Sequence, residues 1–418
     1  MSGAPVAFQF HNCLGEGGYG EVYLATQQTE GGIKRDVAVK VLHERYDENS
    51  DAVKRLRDEG QVLALLQHPA IVAVHQFCEI SGRLALVMEY IEGADVSYYC
   101  DRNRLLPERI RVEVIREVAE ALAHALRVPN PMTGRPLGMI HRDIKPANVR
   151  ITVDGKVKLM DFGVARSTEM DRKAKTAMGD VLLTPGFGAP EALGFGVSGP
   201  MVDVFALGVS LFDMCTGESF YGRTDLAFQV SLAMDSEDYN AHLEERLMLI
   251  PNEDIRSLCR DMLLFQHELR PGAADIADRA DALWRKMSGD ALGKWARSNA
   301  FPDLSYDTAE FCGKLIDARG VIVGVAPPPQ PPAPEPPPVS NASVPPAPPR
   351  FGNAHTLDLT HPPPVDRESQ PIPRKPQPAP PAPKPSNAPI IMGAAAVVAG
   401  LVMFGIGVVA LLAAIFLS

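Results

Sequence analysis

"HRDIKPANVRITVDGKVKLMDFG", residues 141–163, sets two aspartates and an asparagine around a very short hairpin. "VRITV" and "KVKLM" are five-residue runs of mostly β-branched and aliphatic residues, joined by Asp154-Gly155, a dipeptide suited to a two-residue type I′ turn. Counting outward from a Val153–Lys156 pair, Val149 is predicted to face Met160 and Asn148 to face Asp161. Directly opposed residues stand about 5 Å apart, so the open end gathers an amide oxygen and a carboxylate, with Asp143 on the loop just before. Oxygen ligands of that kind suit Mg²⁺, which keeps some waters and takes further ligands from phosphates. For any one of these residues taken alone, a solvated acid beside an ordinary hairpin is the plainer explanation.

The neighbours weaken that explanation. His141-Arg142-Asp143, Asn148 five residues on, and Asp161-Phe162-Gly163 are similar to the catalytic loop and metal motif of protein kinases. On these residues the chain resembles a bacterial, eukaryotic-like (Hanks-type) serine/threonine protein kinase over residues 8–286. The resemblance implies an α+β, bilobal protein-kinase fold, with a β-rich N-lobe over about 8–91 and a mainly α-helical C-lobe over about 92–286. It also implies ATP and Mg²⁺ as cofactors, Asp143 and Lys145 as catalytic residues, and Asn148 and Asp161 as metal ligands.

The nucleotide side is read from "LGEGGYGEVYLA", which contains Gly15, Gly17, Gly20 and Val22. A dinucleotide fingerprint opens a helix, but here β-favouring residues follow, so the glycines belong in a hairpin. A Walker A loop requires Gly-Lys-Ser/Thr, which is missing. A kinase glycine-rich loop remains, its backbone closing over phosphates and Val22 covering adenine. In "DVAVKVL" the period of two puts Ala38 and Lys40 on one strand face. The resemblance then gives Ala38 to adenine and Lys40 to the α- and β-phosphates. Lys40 needs a carboxylate to hold its stem, and Glu59 is preferred over Asp58 because Leu56, Leu63 and Leu66 lie on roughly its helical face. "LALVMEYIEGADV" reads as a strand running into a hinge, with Met88 at the back of the pocket and the backbones of Glu89 and Ile91 on the adenine edge. Arg150 stands where better-known relatives carry an aliphatic floor; its stem is expected to serve as that floor while its guanidinium reaches water.

"HRDIKPAN" has the serine/threonine form of the loop, and "TPGFGAPE" resembles the segment with which protein kinases seat a peptide. Thr184 is expected against Asp143 and Lys145, Glu191 is expected to pair with Arg270, and Asp203 to brace the catalytic loop. A small-molecule kinase would lack this segment. Arg142, just before Asp143, is a cation that a phosphate on the activation segment can match; Thr176 is the candidate, with Ser167 and Thr168 as alternatives. Autophosphorylation between two copies is the expected route, which implies a homodimer. A pseudokinase scaffold at the membrane is the alternative, although Lys40, Asp143, Asn148 and Asp161 are all present.

The remaining features bound the organisation. A net charge of −10 argues against nucleic-acid binding. Six scattered cysteines indicate neither zinc nor a disulfide framework and suit reduced cytosol. Residues 287–326 show helical periodicity and are expected to form a helical extension that caps the C-lobe. In residues 327–389, 25 of 63 are proline, which excludes helices and central strands and predicts a disordered, extended linker; a spacer is preferred over an SH3-type ligand. Residues 390–417 are 28 uncharged, overwhelmingly apolar positions, more than the roughly 20 needed to cross a bilayer. A single transmembrane helix is expected there. Arg374, Lys375 and Lys384 on its N-terminal flank place the kinase domain in the cytoplasm, anchored in the inner membrane. The partners expected are proteins bearing Ser or Thr and the membrane, not nucleic acid.

Overall fold

The computed structural model describes residues 7–17, 20–29, 31–43, 63–162, 184–222, 225–302, 309–317 and 321–325. Glu59, Thr176, the linker and residues 390–417 lie outside them. No helix among the described residues is long and apolar enough to cross a membrane.

Alternating runs near the N-terminus form strands β1 (Ala7–Gly17), β2 (Gly20–Gln28), β3 (Lys34–Leu42), β4 (Val74–Ile80) and β5 (Arg83–Glu89), antiparallel in the order β1-β2-β3-β5-β4. Alternation sorts their side chains. Val37, Val39 and Val41 enter a core with Phe8, Phe10 and Tyr23, while Ala38 and Lys40 face the opposite way into a cleft. Gly20 is required by packing, because an added Cβ would stand 2.1 Å from the carbonyl oxygen of Val41.

A second sheet joins β6 (Gly93–Asp95), β7 (Val149–Thr152) and β8 (Val157–Leu159). It packs on helix α1 (Glu108–Arg127), and the helical half continues with α2 (Pro190–Phe195), α3 (Pro200–Thr216), α4 (Leu226–Met234), α5 (Ser236–Leu247), α6 (Glu253–Met262) and α7 (Ala273–Lys286). Helix α3 is apolar nearly all round, with buried positions from Asp203 to Cys215, as befits the centre of a helical layer. It stops at Gly217, whose φ of +69° ends the helix in the left-handed region. The β-rich and helical halves are therefore as the resemblance implies.

The hairpin register differs by one residue from that predicted. Val149 pairs with Leu159, Arg150 with Lys158 and Ile151 with Val157, so Asn148 falls opposite Met160 and not Asp161. The cause is the turn. The amide of Gly155 donates to the Thr152 carbonyl (2.9 Å), and Gly155 adopts a φ of +79°, which makes a three-residue loop with a glycine bulge in place of the two-residue turn. The Thr152 hydroxyl secures it by accepting from the Lys156 amide (2.8 Å) and donating to Asp154.

Residues beyond α7 also depart from expectation. Helix α8 (Leu292–Ser298) is present and does cap the helical half: the Leu292 amide donates to Glu113 (2.9 Å), and the Trp295 ring meets Tyr99 edge-on at 5.6 Å. None of the described residues after it is helical. Lys314–Ile316 (β9) and Ile322–Val325 (β10) are strands, and β9 pairs with β1 through Phe8–Ile316 and Gln9–Leu315. Gly313, at a φ of +75°, breaks any helix there, and the outer edge of β1 offers a row of backbone groups for pairing. The N-lobe sheet thus has seven strands, ordered β10-β9-β1-β2-β3-β5-β4. Phe311 is fully buried against Phe10 and Tyr23, and Glu310 pairs with Arg83 at 2.9 Å. Arg83 is itself buried, donates to the Leu42 carbonyl (2.6 Å) and stands between two carboxylates, Glu21 of β2 (3.5 Å) and Glu310 of the extension.

Candidate active site

A cleft of about 340 Å³ opens between the large sheet and the β6-β7-β8 hairpin layer, within the size range of small-ligand sites. Its roof carries Gly15, Gly20 and Val22, its back wall Ala38, Lys40 and Met88, its rim Glu89 and Ile91, and its floor Arg150, Met160 and Asp161. Gly17 pairs with Gly20 at the tip of the β1–β2 hairpin. The Glu89 carboxylate accepts from Lys158 (2.8 Å) and from the Ala73 amide (3.3 Å), and its own amide donates to the Ala73 carbonyl (2.9 Å).

Lys40 reaches across to Asp161 at 2.7 Å. Desolvation pushes the Asp161 carboxyl upward, but Lys40 beside it, together with His141 and Lys145, more than offsets this and holds it below the usual carboxylate range. The floor is joined to the large sheet's connecting segment by two backbone bonds, Leu159 N–H to the Ala70 carbonyl (2.7 Å) and Val72 N–H to the Leu159 carbonyl (3.1 Å). These fix where Asp161 meets Lys40.

On the loop before the hairpin, three donors converge on one carboxylate. Asp143 Oδ1 accepts from Thr184 (2.7 Å), while Oδ2 accepts from Lys145 (3.0 Å) and from the Asn148 amide (3.0 Å). The Asn148 nitrogen also donates to the Asp143 carbonyl (2.7 Å). His141, fully buried, accepts through Nδ1 from the Asp143 amide (3.3 Å) and donates through Nε2 to the Met160 carbonyl (2.8 Å), which assigns the neutral Nε2–H tautomer and ties the loop to the strand before Asp161.

Asp203, from α3, accepts from two consecutive backbone N–H groups, His141 (2.6 Å) and Arg142 (2.7 Å). Burial raises its carboxyl to about 7 against the pull of those two donors. Arg142 has a φ of +64° and Asp161 a φ of +53°, two of the three non-glycine residues in the left-handed region among the described residues. That conformation costs roughly 1–2 kcal/mol per residue, and strain of this kind collects where a site is held in a set geometry.

The donor set fits a hard divalent cation. Asp161 is half-exposed, and because the Asn148 nitrogen is spent on Asp143, its oxygen is the atom left to ligate. Among the described residues no group of three or more His, Cys, Asp or Glu side chains could hold a metal. Two protein ligands, with water and phosphate completing the shell, is the arrangement Mg²⁺ favours.

A protein kinase domain model matches residues 8–280. The chain belongs to the protein kinase family. This kinase is 30% identical over 335 residues to tyrosine-protein kinase MasK of Myxococcus xanthus, covering 75% of this chain and 51% of that protein. It is 31% identical over 210 residues to serine/threonine-protein kinase PrkC of Bacillus subtilis, covering 50% of this chain and 30% of that protein. With serine/threonine-protein kinase PknJ of Mycobacterium tuberculosis the figures are 37% over 217 residues, 51% and 34%. The chain thus spans about half or less of the length of these relatives.

Two site features of the kinase escape a reading of its sequence. The Arg150 guanidinium does not run out to water as expected: it pairs with Asp95 at 3.1 Å, its cross-strand neighbour in the β6–β7 register, and both line the cleft. Burial raises the Asp95 carboxyl, with Arg150 pulling the other way. The signal was present, since Asp95 and Arg150 carry opposite charges, but only the long-range pairing of β6 with β7 reveals it. The second is Gln229, on α4. It is fully buried, and its side-chain oxygen accepts from the Gly186 amide (2.9 Å). The expected ties of Glu191 to Arg270 (2.7 Å) and of Thr184 to Asp143 are present.

Proposed function

We propose that this kinase is an active, Mg²⁺-dependent enzyme that transfers the γ-phosphate of ATP to serine and threonine hydroxyls of proteins, and that a C-terminal helix tethers it to the inner membrane with its catalytic domain in the cytoplasm. The observation that carries the reading is the convergence of Thr184, Lys145 and Asn148 on the Asp143 carboxylate, next to a floor on which Asp161 meets Lys40.

Phosphoryl transfer asks a protein mainly to position reactants and screen charge. Val22 and Ala38, on the same face of the large sheet, cover one side of the adenine, the Arg150 stem lies on the other, and the backbones of Glu89 and Ile91 read its edge. The glycine-rich loop of Gly15, Gly17 and Gly20 covers the phosphates while Lys40, braced by Glu59, holds the α- and β-phosphates. Asn148 and Asp161 would hold magnesium, which would supply positive charge against the phosphate oxygens. Asp143 orients the acceptor hydroxyl and takes its proton as the oxygen–phosphorus bond forms and ADP leaves, and Lys145 balances charge on the γ-phosphate.

Lys145, two residues after Asp143, favours a serine or threonine acceptor, as do the names of PrkC and PknJ; the name of MasK makes acceptor identity the point to measure. Control is assigned to Arg142, matched by phosphate on Thr176, or on Ser167 or Thr168, added by a second copy brought near by the shared membrane.

The test is label transfer from γ-labelled ATP to a histone mixture. The purified full-length protein is expected to label the acceptor with Mg²⁺, to stop on chelation, and to lose at least about 100-fold as Asp161→Asn. Equal labelling after chelation would overturn the metal assignment, and no labelling at all would overturn the function.

A further inference from the structure

The segment after the activation loop runs Thr184-Pro185-Gly186-Phe187-Gly188-Ala189, and its shape can be derived. Proline at the second turn position and glycine at the third is the pattern of a type II β-turn, which requires positive φ at the third. The Phe187 amide donates to the Thr184 carbonyl (3.2 Å), closing the turn, and Gly186 has a φ of +94°. A type I turn differs from type II mainly by a flip of its central peptide, here Pro185–Gly186. The N–H of that peptide is the one that Gln229 binds (2.9 Å). Among the described residues the Gln229 nitrogen has no hydrogen-bond partner, so its oxygen alone makes the contact.

We infer that Gln229 is a positioning residue for the protein acceptor: by accepting from the Gly186 amide it holds the 184–187 turn in its type II form and thereby shapes the seat on which the acceptor chain lies. This rests on the proposed protein-phosphorylating function. The loop is tied at three alternate residues, Thr184 to Asp143 (2.7 Å), Gly186 to Gln229 and Gly188, through its carbonyl, to the buried Tyr221 hydroxyl (2.6 Å). Helix α4, which brings Gln229, is itself anchored by Asp225, whose carboxylate accepts from the Phe228 amide (2.8 Å). A trans peptide points its C=O opposite its N–H. With the N–H held by Gln229, the carbonyl of the exposed Pro185 faces away from α4, a backbone acceptor for an N–H of the incoming chain. Releasing the N–H frees that peptide to flip and turns the carbonyl from its place beside Thr184, the residue bonded to Asp143. The ATP cleft has no part in this, because neither Gln229 nor the turn lines it.

The experiment separates acceptor from nucleotide. Gln229→Leu is expected to raise the KM for the histone mixture about tenfold, as loss of one buried hydrogen bond implies, with the KM for ATP within about twofold of the parent. Gln229→Glu retains an oxygen for the Gly186 amide and, kept protonated by its full burial, puts a neutral O–H in place of the unpartnered nitrogen, so it is expected to restore the acceptor KM. Gly186→Ala is the independent variant: a Cβ there meets nothing within 4 Å, so only the φ is disfavoured. It too is expected to raise the acceptor KM and spare ATP, and it carries the test if Gln229→Leu does not fold. An unchanged acceptor KM in the variants that fold would overturn the inference, as would a Glu variant as impaired as Leu, or a parallel rise in both KM values. A parent enzyme that labels no acceptor would instead fail the function on which the inference rests.

Discussion

Asp143→Asn is expected to lower phosphoryl transfer by about 10²–10⁴-fold, the usual contribution of a positioned general base, without loosening the fold. The substitution is isosteric, and the network around it can absorb the change. An asparagine oxygen facing Lys145 and Asn148 still accepts from both, and its nitrogen then faces Thr184, whose hydroxyl now donates to Asp143 but can equally accept. What disappears is basicity and negative charge at the point where, on the proposed function, the acceptor hydroxyl loses its proton. Thermal unfolding and ATP affinity should therefore match the parent while labelling of the acceptor collapses. A variant that retained more than a tenth of the parent turnover would remove Asp143 from the chemistry, and one that unfolded early would make its role structural.

The second large effect is on stability. Arg270 is buried and engages almost everything its guanidinium can reach: Glu191 through both terminal nitrogens (2.7 and 2.9 Å), and the carbonyls of Met201 (3.1 Å), Leu264 (2.7 Å) and Phe265 (3.3 Å). It also lies over the Phe205 ring at 4.9 Å. Glu191 is equally buried. Glu191→Ala leaves that arginine as an uncompensated buried charge, which costs about 3–5 kcal/mol. For a folded unit of this size the loss should lower the unfolding midpoint by about 10 °C. Because Glu191 directly follows the acceptor loop in α2, activity should fall at temperatures where the parent is stable. Removing both charges, as Glu191→Leu with Arg270→Met, should recover part of the loss but not all, since three carbonyls keep no donor. Differential scanning calorimetry checks both; a midpoint within 2 °C of the parent for Glu191→Ala would show that the pair is not buried as described.

The placement of the candidate site residues was legible because each belongs to a local pattern: glycines in a hairpin, a lysine on the cleft face of a strand, acids at fixed offsets around a turn. What stayed hidden depends on contacts distant in sequence or on a choice between close alternatives. Asp154-Gly155 serves either a two-residue turn or the end of a three-residue loop with a bulge. The Thr152 hydroxyl, by binding the Lys156 amide, goes with the second and moves the register by one residue. The strand character of Lys314–Ile316 could not be read locally, because it is the edge of β1, some three hundred residues earlier, that completes it. Arg83, a buried arginine at a strand start, takes the nearer of its two carboxylates, Glu310, from the extension. Gln229 carried no signal, since a glutamine in an apolar helix reads as a surface position until the loop it holds is in place.

The central claim is that Asp143, Asn148 and Asp161 together serve the transfer of a γ-phosphate to a protein hydroxyl. Its most direct measurement is acid hydrolysis of an acceptor labelled by the full-length protein with ATP and Mg²⁺, followed by separation of the phosphoamino acids. The account predicts phosphoserine and phosphothreonine, absent when the protein carries Asp143→Asn; label recovered as phosphotyrosine alone, or label undiminished by that substitution, would contradict it.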